Sequence, residues 1–98
     1  MSRTFEPTRE LAERKIRGEH LLIPISHSDE EMGALYNLPN EVASTIWEQA
    51  KAGTSEDAIV AALLQAFEVD EETARRDVSD LLNELVNRNL LREVTPST

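Results

Sequence analysis

Apolar residues recur at helical spacing over the second half of the chain, in three segments that each begin with a helix-capping residue. The first segment starts at Asn40, the second at Thr54 or Ser55, and the third runs from Asp70 to Asn89. Asn, Ser, Thr and Asp side chains accept hydrogen bonds from free N–H groups of a first helical turn, and asparagine tolerates the left-handed conformation that ends a helix. The pattern therefore predicts three consecutive helices.

The segment before these helices has the shorter period of β-strands. Two apolar runs within residues 13–25 are joined at Gly18-Glu19, and a third run, Gly33–Leu38, stops before the first helix. Alternate residues of a strand share a face, so Tyr36 and Leu38 are expected on one side. The predicted fold is a small α+β, winged-helix-like domain, in which a three-stranded antiparallel sheet is followed by three helices.

The polar composition of both ends predicts the domain boundaries. Residues 1–12 are polar and contain Pro7, which indicates a flexible N-terminal arm, and residues 95–98 read as a disordered tail. Residues 13–94 form the predicted domain. The chain has no cysteine and no apolar run near the roughly 20 residues needed to span a bilayer, so we expect a cytoplasmic protein without membrane contact.

The charge distribution argues against nucleic acid as a partner. The formal net charge is −9, and residues 39–98 carry five Lys/Arg against twelve Asp/Glu. The third helix, over residues 70–89, has six acids and three arginines. Affinity for nucleic acid depends largely on neutralising phosphates, so an acidic helical half disfavours it.

No combination of residues predicts catalysis, a cofactor or a metal site. His20 lies in a predicted strand, and His27 lies in the acidic loop Ser26–Met32 at a spacing that matches no strong metal-binding motif. Neighbouring serine and histidine residues of one short loop rarely provide the geometry of a catalytic triad. We therefore expect a non-catalytic protein without a cofactor.

The third helix carries more apolar surface than a narrow core stripe requires. We assign Ala74, Val78, Leu81 and Leu85 to the stripe that faces the core. Leu82 and Val86 lie to one side of it, with Arg75 and Ser79 at the margin, while Asp77, Glu84 and Arg88 form the flank expected to be solvated. This wide arc either packs against the sheet or lines a groove.

The three helical motifs together resemble the pyrroloquinoline-quinone biosynthesis protein D family. Pro39–Ala43 leading into Ile46-Trp47 is similar to the entry of the family's first helix, and Thr54–Ile59 to its capped second helix. Phe67–Asp70 and the apolar pattern that follows resemble its third helix. The resemblance covers residues 13–94, with Pro39 and Asn89 in place of the usual leucine and glycine.

The resemblance implies a recognition element for ribosomally made precursor peptides. Such domains bind the leader of the precursor as a strand added to their third β-strand, beside the third helix. They present it to a modifying enzyme, often a radical S-adenosylmethionine enzyme. Arg75 would then meet an acidic leader residue. The peptide-binding residues implied here are Gly33, Ala34, Leu35, Tyr36, Asn37, Leu38, Arg75, Ser79, Leu82 and Val86.

Two other classes of function stay open at this point. A winged-helix transcription regulator would use its third helix in the major groove, and that helix should be basic. An adaptor or oligomerisation domain would use the same edge strand for self-pairing, for example in a homodimer. The residues do not identify the precursor peptide or the modifying enzyme, nor whether Ser26–Met32 contributes to binding.

Overall fold

The computed structural model describes residues 3–8, 11–24 and 36–94. Three strands form an antiparallel sheet in the order β2-β3-β4, and two others form a second antiparallel sheet, β1-β5. The predicted α+β class, with a three-stranded sheet followed by three helices, is confirmed. The elements in chain order are β1 (Thr4–Pro7), β2 (Leu11–Ile16), β3 (Glu19–Pro24), β4 (Tyr36–Leu38), α1 (Glu41–Lys51), α2 (Glu56–Ala66), α3 (Glu71–Asn87) and β5 (Leu91–Val94).

Capping side chains set the ends of the helices. The side-chain oxygens of Asn40, Ser55 and Asp70 each accept a hydrogen bond from the backbone N–H three residues on, over 2.9, 3.3 and 2.7 Å. Beyond α3, Asn89 adopts a φ of 61°, and the Leu90 N–H donates to a carbonyl of the last helical turn. The helix starts predicted at these residues, and the left-handed exit at Asn89, are confirmed.

A two-residue turn joins β2 to β3. Arg17 and Gly18 have φ values of 50° and 85°, and Ile16 pairs with Glu19 across the turn. Two successive residues with positive φ match the right-handed twist of the flanking strands, which is why such turns are common in tight hairpins. The predicted junction at Gly18-Glu19 was thus one residue too late.

The expectation of a flexible arm over residues 1–12 is wrong for the part that the structure describes. Residues Thr4–Pro7 form β1, which pairs with β5 in a register that places Thr4 opposite Val94. Phe5 is 1% exposed and belongs to the core. Two guanidinium nitrogens of Arg3 donate to the Glu56 carboxylate over 3.0 Å each. Sequence periodicity did not predict β1 because its partner strand, β5, lies near the other end of the sequence.

Helix α1 lies at the centre of the domain and packs against β1, β4, α2 and α3. Its Trp47 is 1% exposed and is among the largest side chains of the core. Within the described ranges, no helix is long and apolar enough to cross a membrane. The buried apolar residues are Phe5, Leu22, Leu38, Ala43, Ile46, Trp47, Ala50, Ile59, Val60, Leu63, Ala74, Val78, Leu82, Leu85, Leu90 and Leu91.

Candidate functional site: a groove beside an open strand edge

Strand β4 has one paired and one open edge. It pairs with β3 so that Leu22 lies opposite Tyr36 and His20 opposite Leu38. In the part of the chain that the structure describes, no strand pairs with its other edge. Leu38 is buried and Tyr36 packs partly on the core, while Asn37 is exposed, as the strand period predicted. An open edge presents backbone N–H and C=O groups that an added strand can satisfy.

A groove of about 370 Å³ lies between β4, the N-terminal half of α1 and one flank of α3. This volume lies in the range of known ligand pockets, roughly 300–1,000 Å³. Residues of the core and its margin form an apolar floor, and carboxylates of α3 form one wall. The lining residues are Val42, Ala43, Ile46 and Leu81 on the floor, Asp77, Asp80 and Glu84 on the acidic wall, and Tyr36, Pro39 and Asn40 on the β4 side.

Arg88 connects the end of α3 to β4. Its guanidinium lies 4.8 Å from the centroid of the Tyr36 ring, and its Nε donates to Glu84 Oε1 over 2.7 Å. Burial, together with the negative charge of Glu84, raises the pKa of Tyr36. The sequence predicted that Asp77, Glu84 and Arg88 form a solvated flank, and Asp77 and Arg88 are indeed exposed. The sequence did not indicate that Asp77 and Glu84 line the groove or that Arg88 contacts the strand beside it.

The two neighbouring leucines of α3 have exchanged their predicted roles. Leu82 is 0% exposed and completes the core stripe with Ala74, Val78 and Leu85. Leu81 is only partly buried and lines the groove. The expectation that Leu82 lies beyond the core stripe is therefore wrong. At 100° per residue, the two leucines lie on opposite sides of the line through Val78 and Leu85, and both are apolar, so periodicity does not distinguish them.

The flank of α3 that carries Arg75 faces α2 instead of β4. Arg75 donates to Asp57 of α2 over 3.0 Å and to Glu71 over 2.9 Å. These hydrogen bonds, with Glu71 the larger cause, raise the pKa of Arg75. Ser79 is half-buried and Val86 is 37% exposed. The structure thus does not bring Arg75, Ser79, Leu82 and Val86 to the groove beside β4.

The strand half of the predicted site is only partly described. Tyr36, Asn37 and Leu38 lie beside the groove, as expected. Gly33, Ala34 and Leu35 lie outside the described residues, as does the loop Ser26–Met32. The groove residues that sequence reasoning missed are Pro39, Asn40, Val42, Ala43, Ile46, Asp77, Asp80, Leu81 and Glu84.

A polar cluster around the buried His20 links β2, β3 and α1. His20 is 2% exposed, and its Nδ1 and Nε2 lie 2.9 Å from Ser44 Oγ and 2.8 Å from Glu13 Oε1. Lys51 donates to the second oxygen of Glu13. Burial alone would raise the pKa of Glu13, but the hydrogen bonds from Lys51 and His20 outweigh it and lower that pKa. Correct placement of the β2–β3 turn would have made Glu13 and His20 near neighbours on one face of the hairpin, because His20 pairs with Lys15 and Glu13 with Leu22.

This cluster contains residue types that some hydrolases use, yet its surroundings favour a structural role. His20 is enclosed by protein, whereas a catalytic base must reach a substrate. The shallow pocket at Ser44 is also lined by Glu19 and Glu41, whose charges would oppose an oxyanion. Among the described residues, no group of three His, Cys, Asp or Glu side chains could hold a metal ion.

An open strand edge beside a groove with an apolar floor defines a small binding domain. The family model of coenzyme PQQ synthesis protein D (PqqD) matches residues 28–91, which is well over half of the sequence. The chain therefore belongs to the PqqD family. No curated protein matches it at a comparable level of significance.

Two solved structures are similar to the chain over nearly its whole length. TbiB1, in complex with the TbiA(beta) leader peptide, has 26% sequence identity and a TM-score of 0.73, and the match covers 93% of this chain and 99% of that one. A lasso peptide synthetase B1, complexed with its leader peptide, has 20% identity and the same TM-score of 0.73, with 90% and 96% covered. At that lower identity, the second likeness concerns the fold alone.

Proposed function

We propose that this protein is a recognition element for the leader segment of a ribosomally made precursor peptide. The leader binds as a strand on the open edge of β4 and places alternate side chains in the groove beside α3. The main support for the proposal is that the open strand edge and the groove lie side by side. The open edge of β4 runs along a groove with an apolar floor, in a PqqD-family domain whose fold matches a protein solved with a leader peptide.

Each part of the groove has a distinct role in this binding mode. Backbone hydrogen bonds to β4 supply sequence-independent affinity, and the groove selects side chains on one face of the peptide. An apolar leader residue would cover Val42 and Leu81, which the free protein leaves partly open to water above the buried Ile46.

The protein itself is proposed to be non-catalytic and to require a modifying enzyme. His20 of the Glu13–His20–Ser44 cluster is buried, and the residues that line the groove include no nucleophile–base pair. A radical S-adenosylmethionine enzyme stays the predicted partner, and a cytoplasmic location and a homodimer stay predictions too. Modification reactions assembled without the partner enzyme should yield no product.

The charge of α3 disfavours the alternative that the protein is a winged-helix transcription regulator. Helix α3 places Asp77, Asp80 and Glu84 on one exposed flank, and Arg75 on the other flank is already paired with acids. A helix that enters the major groove of DNA instead needs uncompensated basic side chains. We therefore do not propose DNA binding.

The test is a nuclear magnetic resonance titration of the ¹⁵N-labelled chain. The probes are synthetic peptides copied from the N-terminal halves of short reading frames that neighbour its gene. We expect amide shifts along Tyr36–Leu38 and on the groove flank of α3 at Asp77 and Leu81. Shifts confined to the opposite flank, at Arg75 and Val86, would place the peptide elsewhere and refute the proposal. A tenfold excess of a sequence-scrambled peptide serves as the control.

A further inference from the structure

The acidic wall of the groove carries negative charges that the ion pairs of the described residues do not all neutralise. Asp77, Asp80 and Glu84 follow one another at spacings of three and four residues, so they share one face of α3. At 1.5 Å per residue, the row extends for about 10 Å along the helix axis. Its carboxylates alone would not define a site, but they border an apolar floor and an open strand edge.

The three carboxylates differ in whether a basic side chain of the protein already pairs with them. Glu84 accepts a hydrogen bond from Arg88 over 2.7 Å. None of the ion pairs within the described residues includes Asp77 or Asp80. Arg76 is next to Asp77 in sequence and one turn before Asp80, yet it pairs with neither. The groove thus offers two exposed carboxylates whose counter-charge the described part of the chain does not supply.

The single arginine that sequence reasoning assigned to the groove is engaged elsewhere. Arg75 is held by Glu71 and Asp57 on the α2 side of α3. Arg88 contacts two residues that line the groove, because it is shared between Glu84 and the face of Tyr36. An acidic leader residue would therefore meet mainly like charges, which disfavours the acidic leader expected from Arg75.

We propose that the groove selects a leader segment with a basic side chain beside an apolar one on the same strand face. The inference rests on the proposed function and specifies its ligand class. Alternate residues of a strand lie about 7 Å apart on one face, so two groove-facing residues fit within the length of the acidic row. One is apolar and covers Leu81 and Val42, and the other is Lys or Arg and pairs with Asp77 and Asp80.

The net charge of the chain also favours a basic peptide as the ligand. A formal charge of −9 on 98 residues attracts a basic peptide over distances of about a Debye length, which is roughly 10 Å at 0.1 M salt. Such attraction raises the association rate more than the final affinity. Binding of the basic leader should therefore weaken as salt is added.

The test is a selection from a display library of random 12-residue peptides. It is carried out in parallel on the wild-type chain, on Asp77→Asn/Asp80→Asn and on Glu68→Gln/Glu72→Gln. Both variants lose two negative charges, but the exposed Glu68 and Glu72 do not line the groove. On the wild type we expect enrichment of Lys or Arg two residues from an apolar residue. The enrichment should persist on the control variant and vanish on the groove variant.

Affinity measurements on one selected peptide give the expected size of the effect. Because exposed ion pairs are individually weak, losing two of them should weaken binding about 2- to 30-fold at low salt. Equal affinity for all three proteins, or enrichment of acidic residues, would overturn the charge inference alone if peptides still shift the β4 amides. Peptides that bind without shifting those amides would overturn the proposed function as well.

Discussion

Replacing Leu81 and Leu82 by alanine, one at a time, separates the core face of α3 from its groove face. Leu82 is 0% exposed, so Leu82→Ala removes buried methyl groups and leaves a cavity. Such changes lower the free energy of unfolding by about 3 kcal/mol or more. A domain of this size has about 5–15 kcal/mol in total, so the variant should remain folded but be clearly weakened.

Leu81→Ala should act mainly on peptide binding. Leu81 is partly exposed at the groove, so the substitution removes less buried surface, and we expect a loss of about 1 kcal/mol in stability. In a complex, the leader peptide would bury the rest of this side chain. Its removal should then weaken binding by about 1–2 kcal/mol, which corresponds to a 5- to 30-fold higher Kd.

Two measurements on the same protein preparations test which leucine faces the core and which faces the groove. Urea unfolding followed by circular dichroism gives the stability of each variant, and fluorescence anisotropy with a labelled peptide from the titration gives its affinity. Leu64→Ala, at a 38% exposed position on α2, is the matched control and should change neither. If Leu82→Ala left the stability within 1 kcal/mol of wild type while Leu81→Ala lowered it more, the assignment of the two faces would be wrong.

Two further predictions concern the N-terminal strand and the polar cluster. Phe5→Ala should lower the free energy of unfolding by about 3–5 kcal/mol because Phe5 is 1% exposed. Ile16→Ala, at a 48% exposed position, is the control and should change this free energy little. Equal urea midpoints for the two variants would mean that β1 is not part of the folded domain. The pKa of Glu13 is lower in the folded protein than its ordinary value, so its contribution to stability is present above the unfolded pKa and is lost as the pH falls through the folded pKa. The stability difference between wild type and Glu13→Gln should therefore shrink in acid denaturation series, and a constant difference would contradict it.

Features that depend on neighbouring residues were predictable from the sequence. Asn40, Ser55 and Asp70 cap helices because each side chain reaches an N–H only three residues away. Asn89 ends α3 because asparagine tolerates positive φ. The helices and the strand face of Tyr36 and Leu38 follow from such local rules.

Features that depend on distant contacts were not predictable in this way. Whether Leu81 or Leu82 faces the core depends on where α1 and β4 lie relative to α3, and helical periodicity contains no such information. The bond between Arg75 and Asp57 likewise joins two helices. The acidic wall of the groove was visible as charges in the sequence, but its function depends on the strand that faces it.

The pairing of β1 with β5 has a consequence for the order of folding during synthesis. Thr4 pairs with Val94, so this contact closes nearly the whole domain into one loop. Forming it directly from an open chain of about 90 residues would cost roughly 4 kcal/mol in chain entropy, and prior packing of the helices shortens the loop that remains. During synthesis β1 must therefore wait for β5, its pairing partner, which leaves the ribosome about 85 residues later. Until then, Phe5 has no complete core to enter.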